Sequence, residues 1–162
     1  MALEFGFEIL LPEELMRKLQ DGTLLAEPTR EFLTVISVEV QRNTQMLTPV
    51  DTGRLRASWI RNVDVSPMPL WAEVSTNVNY APFVEEGTRP HWPPMSALNP
   101  AAAGIRQWAN IHGVNVYALG AAIAQRGTRG RHMLRMGVQI ARGTIDNLLQ
   151  QLIRRIKEEW AK

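Results

Sequence analysis

Leu55–Val78 reads LRASWIRNVDVSPMPLWAEVSTNV, and this stretch decides the fold class. Leu55, Ala57, Trp59, Val63 and Val65 alternate with polar partners, broken only by Arg61, as a strand with one buried face requires. Ser66-Pro67-Met68-Pro69 then turns the chain, and Ala72, Val74, Thr76 and Val78 alternate on the way back. Two such runs joined by a proline-bearing turn predict an antiparallel hairpin. A hairpin alone is marginal in water, so it needs further strands and helices to cover it.

The flanking sequence supplies both. Upstream, Leu3, Phe5, Phe7 and Ile9 alternate with Glu4, Gly6 and Glu8, predicting another strand. Pro12 opens a short helix, Glu13 to Gln20, that Asp21-Gly22 ends. Pro28-Thr29 opens the next helix, with Thr29 as its N-cap and Leu33, Ile36, Val40 and Leu47 on one face. The β-branched run Ile36–Val40 also fits a strand, but the segment to Leu47 is too long for one. Downstream, Tyr80 to Glu86 forms one helical turn stopped by Gly87. Gly87 to Pro100 holds four prolines (Pro90, Pro93, Pro94 and Pro100) and reads as an extended loop. Ala101–Asn110 and Val116–Gln125 read as helices, and Gly127-Thr128-Arg129-Gly130 as a flexible loop. From Arg131 to Trp160, Val138, Ala141, Ile145, Leu148, Leu152 and Ile156 repeat at intervals of three and four, a helix roughly 45 Å long at ~1.5 Å per residue.

The expected fold is therefore α+β: a small antiparallel sheet with a central hairpin, packed by helices, and a long C-terminal helix. A chain of 162 residues suggests one domain over 1–162, with an N-terminal arm (1–27), a core (28–136) and the end of the long helix (137–162).

Composition narrows the function. The absence of cysteine excludes disulfides, thiolate metal sites and cysteine nucleophiles. No apolar run approaches the ~18 residues needed to span a bilayer, and the first ten residues carry Glu4 and Glu8 but no basic residue, unlike a secretory signal. The chain is expected to be made in the cytoplasm without a membrane partner. The formal charge of +2 is too small to bind nucleic acid with the whole surface, but it is unevenly spread. Arg126, Arg129, Arg131, Arg135 and Arg142 fall between Gln125 and Thr144 without an acid, whereas the first forty residues are rich in glutamate.

Catalytic patterns are absent. His91, His112 and His132 stand far apart, outside any HExxH or HxH spacing, so a metal site would have to be assembled by the fold; none is expected, nor is a cofactor. There is no phosphate-binding glycine loop, and no serine lies in a GxSxG turn. Asp51, Glu85 and Glu86 could supply paired carboxylates, but one partner for an arginine and one solvated charge is the simpler expectation for Glu85-Glu86. The chain is not expected to be an enzyme.

Two blocks stand out: Thr48-Pro49-Val50-Asp51-Thr52-Gly53-Arg54-Leu55-Arg56-Ala57-Ser58-Trp59, and Asn79-Tyr80-Ala81-Pro82-Phe83-Val84-Glu85-Glu86-Gly87-Thr88. A proline-rich loop, a tryptophan-bearing helix and Ala124-Gln125-Arg126-Gly127-Thr128 follow. In this order, over roughly Gln45 to Met136, they resemble the phage head-tail joining and tail-completion family of the gene-product-ten type of the Hong Kong phage ninety-seven. His132-Met133-Leu134-Arg135-Met136 departs from that family's usual pattern, and the first 27 residues are less typical. The resemblance implies a neck or tail component of a long-tailed phage, located in the virion. It further implies an α+β fold and assembly into a six-fold or twelve-fold ring next to connector and tail-terminator or tail-tube proteins.

The same residues have local roles. Asp51 and Thr52 can bond amides of their own turn, next to Pro49, and Gly53 can take a positive φ. Tyr80 offers a ring with a polar tip, Glu85 is placed to accept from Arg54 or Arg56, and Gly87-Thr88 ends the turn. Glu85 serves as an internal brace or an intersubunit contact, and Trp92 is either tucked against its own sheet or an interface anchor. Arg126, Arg129, Arg131 and Arg135 face DNA in a channel, an acidic partner, or solvent. A stand-alone DNA-binding module is the alternative, suggested by the helix pair around His112-Gly113, although Ala101–Ile123 contains only Arg106 as a basic residue.

Overall fold

A computed structural model describes residues 5–8, 23–64, 71–95 and 102–160. The short helix at Glu13–Gln20 and the turn at Ser66–Pro69 lie outside these residues. The expected mixture of helix and antiparallel strand is what the chain adopts. Two compact units result: residues 1–79 with 133–162, and residues 80–132.

In the first unit, strand β1 (Phe5–Glu8) and strand β2 (Ile60–Asp64) flank strand β3 (Trp71–Thr76), giving the antiparallel order β1-β3-β2. The predicted hairpin is present, with Ile60 opposite Ser75 and Asp64 opposite Trp71. β3 lies in the middle and carries the buried Ala72 and Val74, whereas Ile60, Arg61 and Asn62 on the edge strand β2 are exposed.

The hairpin begins later than the alternation implied. Arg54–Ala57 forms helix α2, preceded by helix α1 (Thr23–Leu47). Leu55 and Trp59 are both buried while Ala57 between them is exposed. Leu55 and Trp59 are thus an i, i+4 pair on one side of a helical turn, a spacing that also satisfies a period of two.

Helix α1 also departs from expectation. It starts five residues before Pro28, which sits inside it. Thr29 is therefore no N-cap: its side chain is fully buried and its hydroxyl has no hydrogen-bond partner. α1 buries Phe32, Leu33, Ile36 and Val40 along one stripe and packs on β2 and β3 and on helix α6 (Met133–Trp160). Ile36–Val40 is helical, because its burial follows the helical rather than the strand period.

α1 and α6 run antiparallel. Glu31 near the start of α1 pairs with Arg155 near the end of α6 at 2.8 Å, while Thr44 near the end of α1 meets Gly137 near the start of α6. α6 buries Met133, Leu134, Ala141, Leu152 and Ile156, the last three on the stripe read from the sequence. Ser37, Thr44 and Thr48 are buried on α1 or at its end, and such small side chains let the two helices approach closely.

In the second unit, helix α3 (Ala81–Glu86) is the expected turn. Strand β4 (Gly87–Thr88) follows it and pairs with strand β5 (Thr128–Arg129). The loops expected from Gly87 and over Gly127–Gly130 therefore contain a short ladder, invisible locally because its strands are two residues long and far apart in the chain. Helices α4 (Ala102–Ile111) and α5 (Val116–Arg126) occupy the expected positions. Asn115 caps α5, its Oδ1 accepting from the amides of Tyr117 and Ala118 at 2.9 and 3.2 Å.

Candidate functional site

The first motif is organised around Thr48. Its amide donates to the Thr44 carbonyl at 2.9 Å, extending α1 by one bond, and its hydroxyl donates to the same carbonyl at 2.6 Å. The hydroxyl oxygen accepts from the indole Nε1 of Trp59 at 3.0 Å. The Thr48 carbonyl accepts from Arg56, at 2.9 Å from Nη2 and 3.3 Å from Nε. One threonine thus ties the end of α1 to α2 and to the root of the hairpin. Trp59 is 1% exposed, so its indole N–H would otherwise be buried without a partner.

Thr48, Arg56 and Trp59 carry this motif, while Pro49, Asp51 and Thr52 are exposed. The Thr52 hydroxyl faces the Arg54 amide at 3.5 Å, a long contact. Gly53 has φ 80°, the left-handed geometry expected of it, and its carbonyl accepts from the Ala57 amide at 3.0 Å. Arg56 thus donates within its own motif, and Glu85, the residue expected to accept from Arg54 or Arg56, is buried in the second unit and has an interaction of its own. A second chain of bonds fixes the hairpin. Ser58 Oγ donates to the Leu55 carbonyl at 2.8 Å, leaving its oxygen to accept from Thr76 Oγ1 at 2.6 Å. Thr76 Oγ1 in turn accepts from the Val78 amide at 3.2 Å.

The second motif and the R-G-T segment come together in the second unit. Thr88 and Thr128 face each other across the β4–β5 ladder with hydroxyls 3.0 Å apart, and the Thr128 amide donates to Thr88 Oγ1 at 3.0 Å. Arg131 and His132 continue the seam, their amides donating to the Val84 and Glu85 carbonyls at 2.8 and 3.0 Å. The approach requires glycine. A Cβ on Gly87 (φ 80°) would stand 2.2 Å from the Thr128 carbonyl oxygen, and one on Gly127 (φ 71°) 1.9 Å from that of Thr88.

Arg126, Arg129 and Arg131 are exposed around this seam, and none forms an ion pair among the described residues. Arg135 is exposed on α6 and has an interaction of its own. Trp92 is 59% exposed, so it is not tucked against a sheet. Tyr80 is 39% exposed, whereas Glu85 is buried.

Sequence reading missed other exposed apolar side chains of this unit: Phe83, Ile111 and Tyr117, each at least 60% exposed. Ile111 and Tyr117 lie at helix ends, whereas Phe83 lies inside the short α3, and no local signal in the sequence marks its exposure. Trp108 is partly exposed and stacks on His112, ring centroids 4.1 Å apart, with His112 Nδ1 donating to the Trp108 carbonyl at 2.8 Å. Among the described residues one set of potential metal ligands is gathered, Glu85, Glu86 and His132. No described helix is long and apolar enough to cross a membrane.

No curated protein and no solved structure matches the chain. The family match covers both Thr48–Trp59 and Asn79–Gly87 and begins within the N-terminal arm, whereas the R-G-T segment lies beyond it. Residues 13–87 match the family described as "Bacteriophage HK97-gp10, putative tail-component", and over this stretch the chain is similar to a family of structural phage components.

Proposed function

We propose that this chain is a head-tail joining or tail-completion protein that assembles into a ring at the junction of head and tail, working by docking and not by turnover. The observation that carries the proposal is the match of residues 13–87 to a phage tail-component family. The polar groups of the first motif support it: the buried Trp59 indole and the Arg56 guanidinium both bond to the buried Thr48, a use that fixes shape. The second unit supplies docking material. Trp92, Phe83, Ile111 and Tyr117 are exposed aromatic and aliphatic side chains of the kind that anchor protein interfaces. Arg126, Arg129 and Arg131 are exposed cations suited to an acidic neighbour or to DNA passing through a channel.

Native mass spectrometry of the purified chain, alone and mixed with the connector and tail proteins of its phage, tests the proposal. A closed assembly of six or twelve copies, alone or on mixing, is expected. A chain that stays monomeric under every combination, or that turns over a substrate by itself, contradicts it.

A further inference from the structure

We infer that Glu85, Glu86 and His132 form a binding site for one divalent transition-metal cation, with Zn²⁺ the ion that best fits the donor set. The three residues come from segments far apart in the chain, yet one ligand atom from each lies within 4.8 Å of the others. Tetrahedral ligands about 2.0–2.1 Å from zinc stand about 3.3 Å from one another, so closing the site takes a shift of about 1.5 Å or less. Glu86 is exposed and can supply that movement by rotating, which also gives the ion a way in from solvent.

The second observation is the imidazole. Nδ1 of His132 is buried and has no hydrogen-bond partner. A buried ring nitrogen left unsatisfied is costly, and a neutral imidazole offers a lone pair that a cation can take. His132 is also the one non-glycine residue with positive φ among the described residues, at 50°. Its backbone is held there independently of any ion, by the His132 amide on the Glu85 carbonyl and the Arg131 amide on the Val84 carbonyl. Gly130 fits so closely that a Cβ there would lie 2.5 Å from the Glu85 carbonyl oxygen. The ligand-bearing segments are thus clamped together beforehand, and the ion need not order them.

The donor set selects the class of ion. Ca²⁺ and Mg²⁺ favour all-oxygen shells, and Cu⁺ favours sulfur. One imidazole with two carboxylates suits Zn²⁺ and its neighbours in the first transition row. Glu85 and Glu86 each have an interaction within the protein, which a bound ion would share. The ion would pin the segment before α6 to the end of α3, locking the seam that carries Arg129 and Arg131.

The test is calorimetric titration of ZnCl₂ into the full chain without a histidine tag, with bound zinc counted by elemental analysis after dialysis. About one ion per chain is expected, with a rise in Tm and a loss of affinity as pH falls and the ligands protonate. His132→Asn removes the imidazole while tolerating positive φ, and Glu86→Gln alters an exposed carboxylate with little risk to folding. Each should weaken binding about tenfold or more, and the double change His91→Ala/His112→Ala should leave it unaltered. The inference is overturned if the natural chain binds no zinc, if Glu86→Gln binds as tightly as the natural chain, or if binding is lost with His91 and His112.

Discussion

Replacing Gly137 by alanine tests the packing of α1 on α6, and the sign of the effect decides the question. In an unconstrained helix interior, Gly→Ala stabilises by about 0.5–1 kcal/mol, because alanine loses less backbone entropy. At Gly137 the added Cβ would stand 2.5 Å from Thr44 Oγ1, 3.0 Å from Thr44 N and 3.2 Å from Thr44 Cα. Rotating the threonine relieves only the first of these contacts, so the two helices must move apart by a few tenths of an ångström. Overpacking of this kind costs about 1–3 kcal/mol, which offsets the helix gain and leaves a net loss of up to about 2.5 kcal/mol. For a chain of this size the loss lowers Tm by up to about 10 °C. Gly143 on the same helix is the control: it is exposed and a Cβ there meets nothing within 4 Å. Gly143→Ala should raise Tm by about 1–4 °C. Thermal and urea unfolding of both variants give the two signs. Adding Thr44→Ala to Gly137→Ala should recover part of the loss, with a coupling of about 1 kcal/mol. A Gly137→Ala protein stabilised as much as Gly143→Ala would refute the close crossing.

Thr48→Val should cost about 1–3 kcal/mol in urea unfolding, because it strands the buried Trp59 indole N–H, and the cost should shrink in a Trp59→Phe background. Gly87→Ala should destabilise the β4–β5 seam by about 2–4 kcal/mol, seen as lost hydrogen-exchange protection at the Arg131 and His132 amides. Changing Arg126, Arg129 and Arg131 together to alanine should leave Tm within about 1–2 °C while weakening assembly; if these arginines meet DNA, binding should also fall less steeply with salt. Trp92→Ala should leave the unfolding midpoint of the isolated chain unchanged and reduce its incorporation into particles, since the side chain is largely exposed before docking.

What could be read from the residues was what short-range periodicity encodes. Ala72 and Val74 alternate with polar residues because β3 has one covered face, and the stripe through Ala141, Leu152 and Ile156 repeats because α6 lies along α1. The failures have equally local causes. Leu55, Ala57 and Trp59 satisfy both a strand period and an i, i+4 helical pair, and only the exposure of Ala57 separates them. Proline at position 28 reads as a helix start, yet α1 begins at Thr23 and runs on through it. The candidate site was legible as a pair of motifs but not as bonds. Thr48 looks like the first residue of a loop until the fold brings Trp59 and Arg56 to it. Thr88 and Thr128 lie forty positions apart, and nothing near either announces the other.

The most direct measurement is made on virus particles. Particles produced with the gene deleted are examined by electron microscopy, while peptides of the chain are sought in purified natural virions. The expected result is the chain present in the virion and, without it, filled heads and tails that fail to join or tails that fail to complete. Infectious tailed particles assembled in its absence, or natural virions that lack it, would contradict a structural role at the junction.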